Sequence, residues 1–152
     1  MKVAIVGAGN MGGALARGLA KGSRIATSDI YVSNPSTAKL EALKREFSDI
    51  NTSTDNCEVV RKADMVVLAV KPWKVEEVLA EIKPQLDYSR QAVASMVGGL
   101  GTAELSQWLD NGSGMLPPTY IIIPNTAIEI GSGVTFISSF NASQEQRLVV
   151  MD

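Results

Sequence analysis

Short apolar runs alternate with segments of helical period along this chain. Lys2–Val6 is almost wholly apolar, as expected of a strand covered on both faces. Met11–Lys21 then carries Met11, Leu15, Leu19 and small alanines on one helical face. Asp29–Ser33 reads as a second strand. Asn34 and Pro35 follow as N-cap and first residue of an amphipathic helix running to about Phe47. Asp64–Val70 is a strand stopped at Pro72, and Val75–Ile82 is helical. Gln91–Met96 is a further strand, ended by the glycines 98, 99 and 101. Thr102–Leu109 is a short helix capped by Thr102, and a Gly- and Pro-rich loop leads to the strand Thr119–Ile123. Val134–Ser138 reads as another strand, with Ser143 capping a helix that starts near Gln144. This alternation predicts βαβ units: a Rossmann-like, doubly wound, mostly parallel sheet with helices on both faces, three layers in all.

Composition narrows the function. The 152 residues suit one domain; 45% are hydrophobic, 20% are charged and the net charge is -2. The basic residues are scattered, so no nucleic-acid partner is expected. The apolar runs are too short to span a bilayer, and Met1 leads straight into a strand pattern rather than a signal peptide. Cys57, the single cysteine, suits a reducing compartment, and a cytoplasmic location is expected. It reads as an inert, small apolar residue. The sequence contains no histidine. That removes the commonest general acid–base and metal ligand, so no metal site is expected.

Between the first strand and helix, Gly7-Ala8-Gly9-Asn10-Met11-Gly12 matches G-x-G-x-x-G. The first glycine allows the tight turn, the second lets a pyrophosphate approach the backbone, and the third lets the helix pack on the strand. Amide groups at the helix start then face the phosphates, aided by the helix dipole. A dinucleotide is the expected cofactor, with a small molecule as substrate. An NAD site usually ends the second strand on an acid that grips the ribose 2′-hydroxyl. Here the strand ends Ser33-Asn34-Pro35-Ser36-Thr37, and the nearby Asp29 lies at its wrong end. Nothing there repels a 2′-phosphate, although the usual arginine is missing; the balance favours NADP (NADPH) over NAD. Asn34 can serve as ligand, as N-cap, or as both.

Leu68-Ala69-Val70-Lys71-Pro72 closes the third apolar strand. With the glycine motif before it, Ala94-Ser95-Met96-Val97-Gly98-Gly99 and Pro124-Asn125-Thr126 after it, and Asn56 ahead of it, the chain resembles 1-pyrroline-5-carboxylate reductase. The resemblance implies reduction of a cyclic imine to L-proline with NADPH or NADH. It also implies that residues 7–12 hold the pyrophosphate, and that Ser33, Asn34 and Pro35 lie at the adenosine ribose or its phosphate. Asn56 would reach the cofactor. Ala69, Val70, Lys71 and Pro72 would line the nicotinamide side, facing Ser95, Met96 and Val97, and Asn125 would lie by the substrate cleft. Lys71 fits backbone placement at a strand end better than catalysis, and Asn56 can also simply cap a helix over 57–62. No catalytic residue is assigned. The chain departs from the family at Ile121-Ile122-Ile123, where relatives often carry arginine and methionine. Family members also continue for roughly a hundred residues, through a helical domain that forms the homo-oligomer and most of the substrate pocket. Residues 1–152 therefore read as the cofactor domain, cut at the start of a following helix. Other NADP-linked dehydrogenases, of the 3-hydroxyisobutyrate or F420-linked type, and a non-catalytic nucleotide-binding module are the alternatives.

Overall fold

The computed structural model describes residues 1–22, 25–97, 102–110, 112, 116–123 and 136–140. Its strands are β1 (Val3–Val6), β2 (Ile30–Ser33), β3 (Asn51–Ser53), β4 (Met65–Leu68), β5 (Ala92–Ser95), β6 (Thr119–Ile123) and β7 (Phe136–Phe140). Its helices are α1 (Asn10–Lys21), α2 (Thr37–Glu46), α3 (Asn56–Arg61), α4 (Val75–Ile82) and α5 (Thr102–Leu109). Short 3₁₀ turns lie at Thr27–Asp29, Pro72–Lys74 and Lys83–Gln85. The strands form one sheet in the order β3-β2-β1-β4-β5-β6-β7. The first six run parallel and β7 pairs antiparallel with β6. This is the Rossmann-like order, in which the chain reverses direction of travel between β1 and β4.

Two-sided burial explains why these strands lack polar alternation. Val3 and Ile5 of β1, with Ile30, Val32, Met65 and Val67, face Leu15 and Ala16 of α1 and Leu40 and Leu43 of α2. On the other face, Ala4, Val6, Val66, Leu68 and Val93 meet Val59 and Val60 of α3, four apolar residues of α4, and Leu105 and Leu109 of α5. The three predicted layers are present.

Several boundaries differ from the sequence expectation. Ala69 and Val70 leave the sheet as a loop, and Met96 lies beyond β5. Strand β3 was not predicted, because Asn51, Thr52 and Ser53 form a polar, half-exposed edge with no apolar run. The strand expected at Val134–Ser138 lies at Phe136–Phe140, where antiparallel pairing to β6 sets its limits. Helix α2 starts at Thr37 with Ser36 at its N-cap position, so Asn34 and Pro35 are not its cap and first residue. Met11 does not join the apolar face of α1. It is 42% exposed, whereas Leu15 and Ala16 of the same helix are buried. The expected helix near Gln144 lies outside the described residues. Among those described, no helix is long and apolar enough to cross a membrane.

Helix ends on the α3–α5 face are held by polar side chains, buried for Gln91 and Tyr88 and half-buried for Lys83. Gln91 Nε2 donates to the carbonyls of Val60 (2.6 Å) and Ala63 (2.8 Å) at the end of α3. Lys83 Nζ donates to Trp108 O and Asp110 O, and the buried Tyr88 hydroxyl donates to Leu109 O, so the carbonyls ending α5 are satisfied. Burial, and then the Asp110 carboxylate, push the Tyr88 phenol up to about 12. The folded state therefore keeps a proton that the unfolded chain releases near pH 10. Its contribution is intact below pH 10 and declines as pH rises toward 12, by roughly 2–3 kcal/mol in all. Denaturant unfolding across pH 8–12 should record this decline in the wild type. Tyr88→Phe should lack this part of the alkaline decline, at the cost of about 1 kcal/mol at neutral pH.

Candidate functional site

The site lies at the C-terminal edge of the sheet, where β1 and β4 meet, the position at which open α/β sheets bind ligands. The first strand turns into α1 through Gly7, whose φ of +108° suits glycine. A Cβ at Gly7 would sit 2.6 Å from Ala69 O, so the turn is pressed against the end of β4. At Gly12 a Cβ would lie 1.9 Å from Gly7 O and 3.1 Å from Ala69 Cβ. That contact packs the first turn of α1 on the loop before it. Gly9 differs from both, because a Cβ there would meet nothing within 4 Å. Its backbone is extended and its carbonyl accepts from Gly13 N at 2.7 Å, which starts the helix. No side chain caps α1, so the amides of its first turn have no side-chain acceptor. Two glycines thus serve packing, and the third keeps a space clear before a helix start.

Hydrogen bonds tie the turn to its neighbours. Gly7 N donates to Ser33 O (2.9 Å) and Ala69 N to Val6 O (2.9 Å). Ala8 N donates to Asn34 Oδ1 (3.1 Å), and Asn34 Nδ2 donates in turn to Ser36 O (3.0 Å). The Asn34 side chain is thereby spent as a clip between the glycine turn and the segment entering α2, and this bond takes the place of capping. Ser33 is fully buried, and its hydroxyl donates to Asn56 Oδ1 at 2.6 Å. Asp55, not Asn56, caps α3 by accepting from Cys57 N; Asn56 is the first helical residue. Sequence reasoning missed this pair, since residues 33 and 56 lie on β2 and α3 and meet only in the folded chain.

On the β4 side, Ala69 and Val70 stand half-buried beside Gly7, while Lys71 and Pro72 are exposed. Lys71 O accepts from Lys74 N (2.9 Å) at the following turn, in keeping with a backbone role. Trp73 is 74% exposed at this turn. Ser95, Met96 and Val97 are all buried. Met96 joins one core and Val97 the other, while Ser95 Oγ accepts from Val97 N (3.1 Å). Their side chains are thus committed to packing and a local turn. Asn125 lies outside the described residues.

Two open grooves lie on the β3 side of the sheet. A groove of about 580 Å³ runs between α2 and β3, past Thr37, Glu41, Lys44 and Thr52. A smaller one of about 170 Å³ lies by Tyr31 and Lys62. Neither is lined by residues of the glycine turn. Cys57 lies outside it. Burial first, then the Asp55 and Glu81 carboxylates, push its thiol pKa up, which agrees with an inert cysteine.

Sheet order, the glycine turn at the β1–β4 reversal and helices on both faces define a Rossmann-like α/β protein. More particularly, residues 2–99 match the family described as NADP oxidoreductase coenzyme F420-dependent, and the chain belongs to that family. It is 31% identical over 138 residues to pyrroline-5-carboxylate reductase from Corynebacterium melassecola, an alignment covering 90% of this chain and 49% of that protein. Among solved structures, it is similar to pyrroline carboxylate reductase from Plasmodium falciparum with NADP bound (TM-score 0.83, 28% identity, 99% of this chain and 52% of that one). It also resembles the Coxiella burnetii pyrroline-5-carboxylate reductase (TM-score 0.85, 28% identity, 98% and 53%). The chain spans about half the length of the curated relatives it matches.

The different surroundings of the glycines give a direct test. Gly12→Ala should cost roughly 3 kcal/mol or more, because backbone stands where the methyl must go. Gly9→Ala should keep the wild-type melting temperature to within about 3 °C. Thermal unfolding by circular dichroism measures both. Equal losses in the two variants would contradict the packing described here.

Proposed function

We propose that this chain is the cofactor-binding domain of a pyrroline-5-carboxylate reductase, an oxidoreductase that uses a nicotinamide dinucleotide to reduce 1-pyrroline-5-carboxylate to L-proline. The observation that carries the reading is the clear space at Gly9, directly before an uncapped helix start at the β1–β4 reversal. A pyrophosphate fits the chemistry of that place: the backbone can be approached closely, and unshared N–H groups and the helix dipole favour negative charge. The names of relatives and of solved structures with at least 25% identity supply the substrate class. The family's own description adds coenzyme F420 as a competing hydride partner for the same site.

Each site residue then takes a role. Residues 7–12 hold the pyrophosphate, with Gly9 giving room and the start of α1 giving donors. Asn34 holds the turn in shape through Ala8, and Pro35 and Asn56 border the adenosine ribose. Residues 69–72 flank the nicotinamide on one side. Ser95, Met96 and Val97 flank it on the other through their main chain, since their side chains are packed inward. Asn125 belongs to the substrate side. When bound, the cofactor supplies the hydride. A cyclic imine is basic enough to accept a proton from water, so the residues of this domain need to orient and exclude solvent rather than shuttle protons. This demand suits a chain without histidine. The absence of a carboxylate at the end of β2 favours NADPH over NADH. Low turnover is expected of residues 1–152 alone, since the chain spans about half the length of the reductases it matches and the remainder is expected to close over the substrate.

The test is a fluorescence titration of NADPH and NADH into the chain, with pyrroline-5-carboxylate turnover followed in parallel; Trp73 provides the signal. Saturable binding with little turnover is expected, and Gly9→Ala should weaken binding at least tenfold while remaining folded. Failure of both nucleotides to bind would sink the reading. Turnover of coenzyme F420, with none of the imine by any longer form of the protein, would replace the substrate.

A further inference from the structure

The groove between α2 and β3, about 580 Å³, has the size of a small-molecule site and contains none of the residues given a role toward the dinucleotide above. Spacings of three and four residues put Thr37, Leu40, Glu41, Lys44 and Arg45 on one face of α2, and β3 brings Thr52 to them from the other side. Leu40 is only 4% exposed, so it gives the groove an apolar floor that is itself part of the core. The polar groups are sorted along the helix. Thr37 opens α2, Glu41 lies midway, and Lys44 and Arg45 stand in its last turn. At 1.5 Å per residue the two ends are about 12 Å apart. The fold leaves most of these groups unused. Among the described residues, the Arg45 guanidinium, the Glu41 carboxylate and the Thr37 and Thr52 hydroxyls have no hydrogen-bond or ion-pair partner. Lys44 Nζ donates one hydrogen to Ser48 O at 3.2 Å and keeps two more. The carboxylate of Glu46, beside Arg45 in sequence, is drawn away to Arg17 of α1 at 2.8 Å.

We propose that this groove is a second ligand site, which takes a phosphorylated polyol of the sugar-phosphate class with its phosphate at Lys44 and Arg45 and its hydroxyls on Glu41, Thr37 and Thr52. The proposal goes beyond the cofactor reading and does not rest on it. A guanidinium fork matches a phosphate with two parallel hydrogen bonds, and Lys44 adds a second positive charge. Glu41 decides against a simple anion, because its carboxylate repels one. A carboxylate is an acceptor only, so its complement is a row of hydroxyl donors. The two threonine hydroxyls donate or accept as a polyol requires, and Leu40 meets the carbon–hydrogen face of a sugar. Inorganic phosphate would use the cationic end alone, and an uncharged sugar the hydroxyl end alone. A molecule that carries both groups gains from both ends of the groove.

Calorimetric titration of the 152-residue chain with glucose 6-phosphate, glucose and inorganic phosphate tests this. Glucose 6-phosphate should bind at one saturable site, with each of the two fragments at least roughly tenfold weaker, the effect of losing a charged hydrogen bond. Arg45→Gln and Glu41→Gln should each weaken glucose 6-phosphate by about tenfold, the first by loosening the phosphate and the second by loosening the hydroxyls. Glu41→Gln should leave inorganic phosphate no weaker. Both residues are exposed, so the variants should melt with the wild type. In ¹⁵N-edited spectra, the amides that shift with glucose 6-phosphate should cluster on α2 and β3. Inorganic phosphate binding as tightly as glucose 6-phosphate overturns the proposal, because the groove is then a site for an adventitious ion only. No binding of glucose 6-phosphate overturns it too, as does unchanged affinity in Arg45→Gln or Glu41→Gln. Displacement of glucose 6-phosphate by NADPH, with shifts gathered at residues 7–12, also overturns it, since the sugar phosphate then occupies the dinucleotide's own site and the cofactor reading stands.

Discussion

The approach of α1 to the turn before it leaves no room for a side chain at Gly12, and the rest of the edge is built around that contact. The Gly7 carbonyl fills the space, and Gly7 is itself pressed on Ala69 O with a positive φ. Because strand, turn, helix and the end of β4 all touch within these few atoms, their relative position has little freedom. A helix start is thereby aimed over the β1–β4 reversal, with open space at Gly9 in front of it. The chemistry proposed for this domain depends on that geometry more than on any titratable group.

Two packed faces hold this edge in register. Apolar residues of β1 and β4 alternate between the α1–α2 core and the α3–α5 core, so a shift of one residue would exchange the two sets. Polar side chains then fasten what packing leaves loose. Gln91, Lys83 and Tyr88 satisfy helix ends far from the site, while Asn34 and the Ser33–Asn56 pair do so beside it. The latter bonds couple β2 to the glycine turn and to α3, which links local order at the ribose end to the pyrophosphate cradle.

Much of this was legible in the chain. A strand buried on both faces reads as an apolar run, so β1, β4, β5 and β6 were recognisable, as were the periodic helices. The glycine motif identified the reversal point, and the run 69–72 its opposite wall. Strand β3 was not legible, because an edge strand of Asn, Thr and Ser gains its pairing from β2 and not from its own hydrophobicity. The capping expectations at Asn34 and Asn56 failed for a related reason. Each residue has the right chemistry for a cap, but a stronger partner reaches it from a distant segment.

Local periodicity and backbone permissiveness belong to the sequence alone: alternating strands and helices, a turn that tolerates only glycine at its crowded points, and chemistry conducted without histidine. Tertiary structure decided which polar groups remain free. Ser33, Asn34 and Asn56 look interchangeable as candidate ligands in the sequence. Folding buries the first, spends both ends of the second and leaves the third with an open donor. That division depends chiefly on the Ala8–Asn34 and Ser33–Asn56 hydrogen bonds, between residues more than twenty positions apart that only the folded sheet and its helices bring within reach.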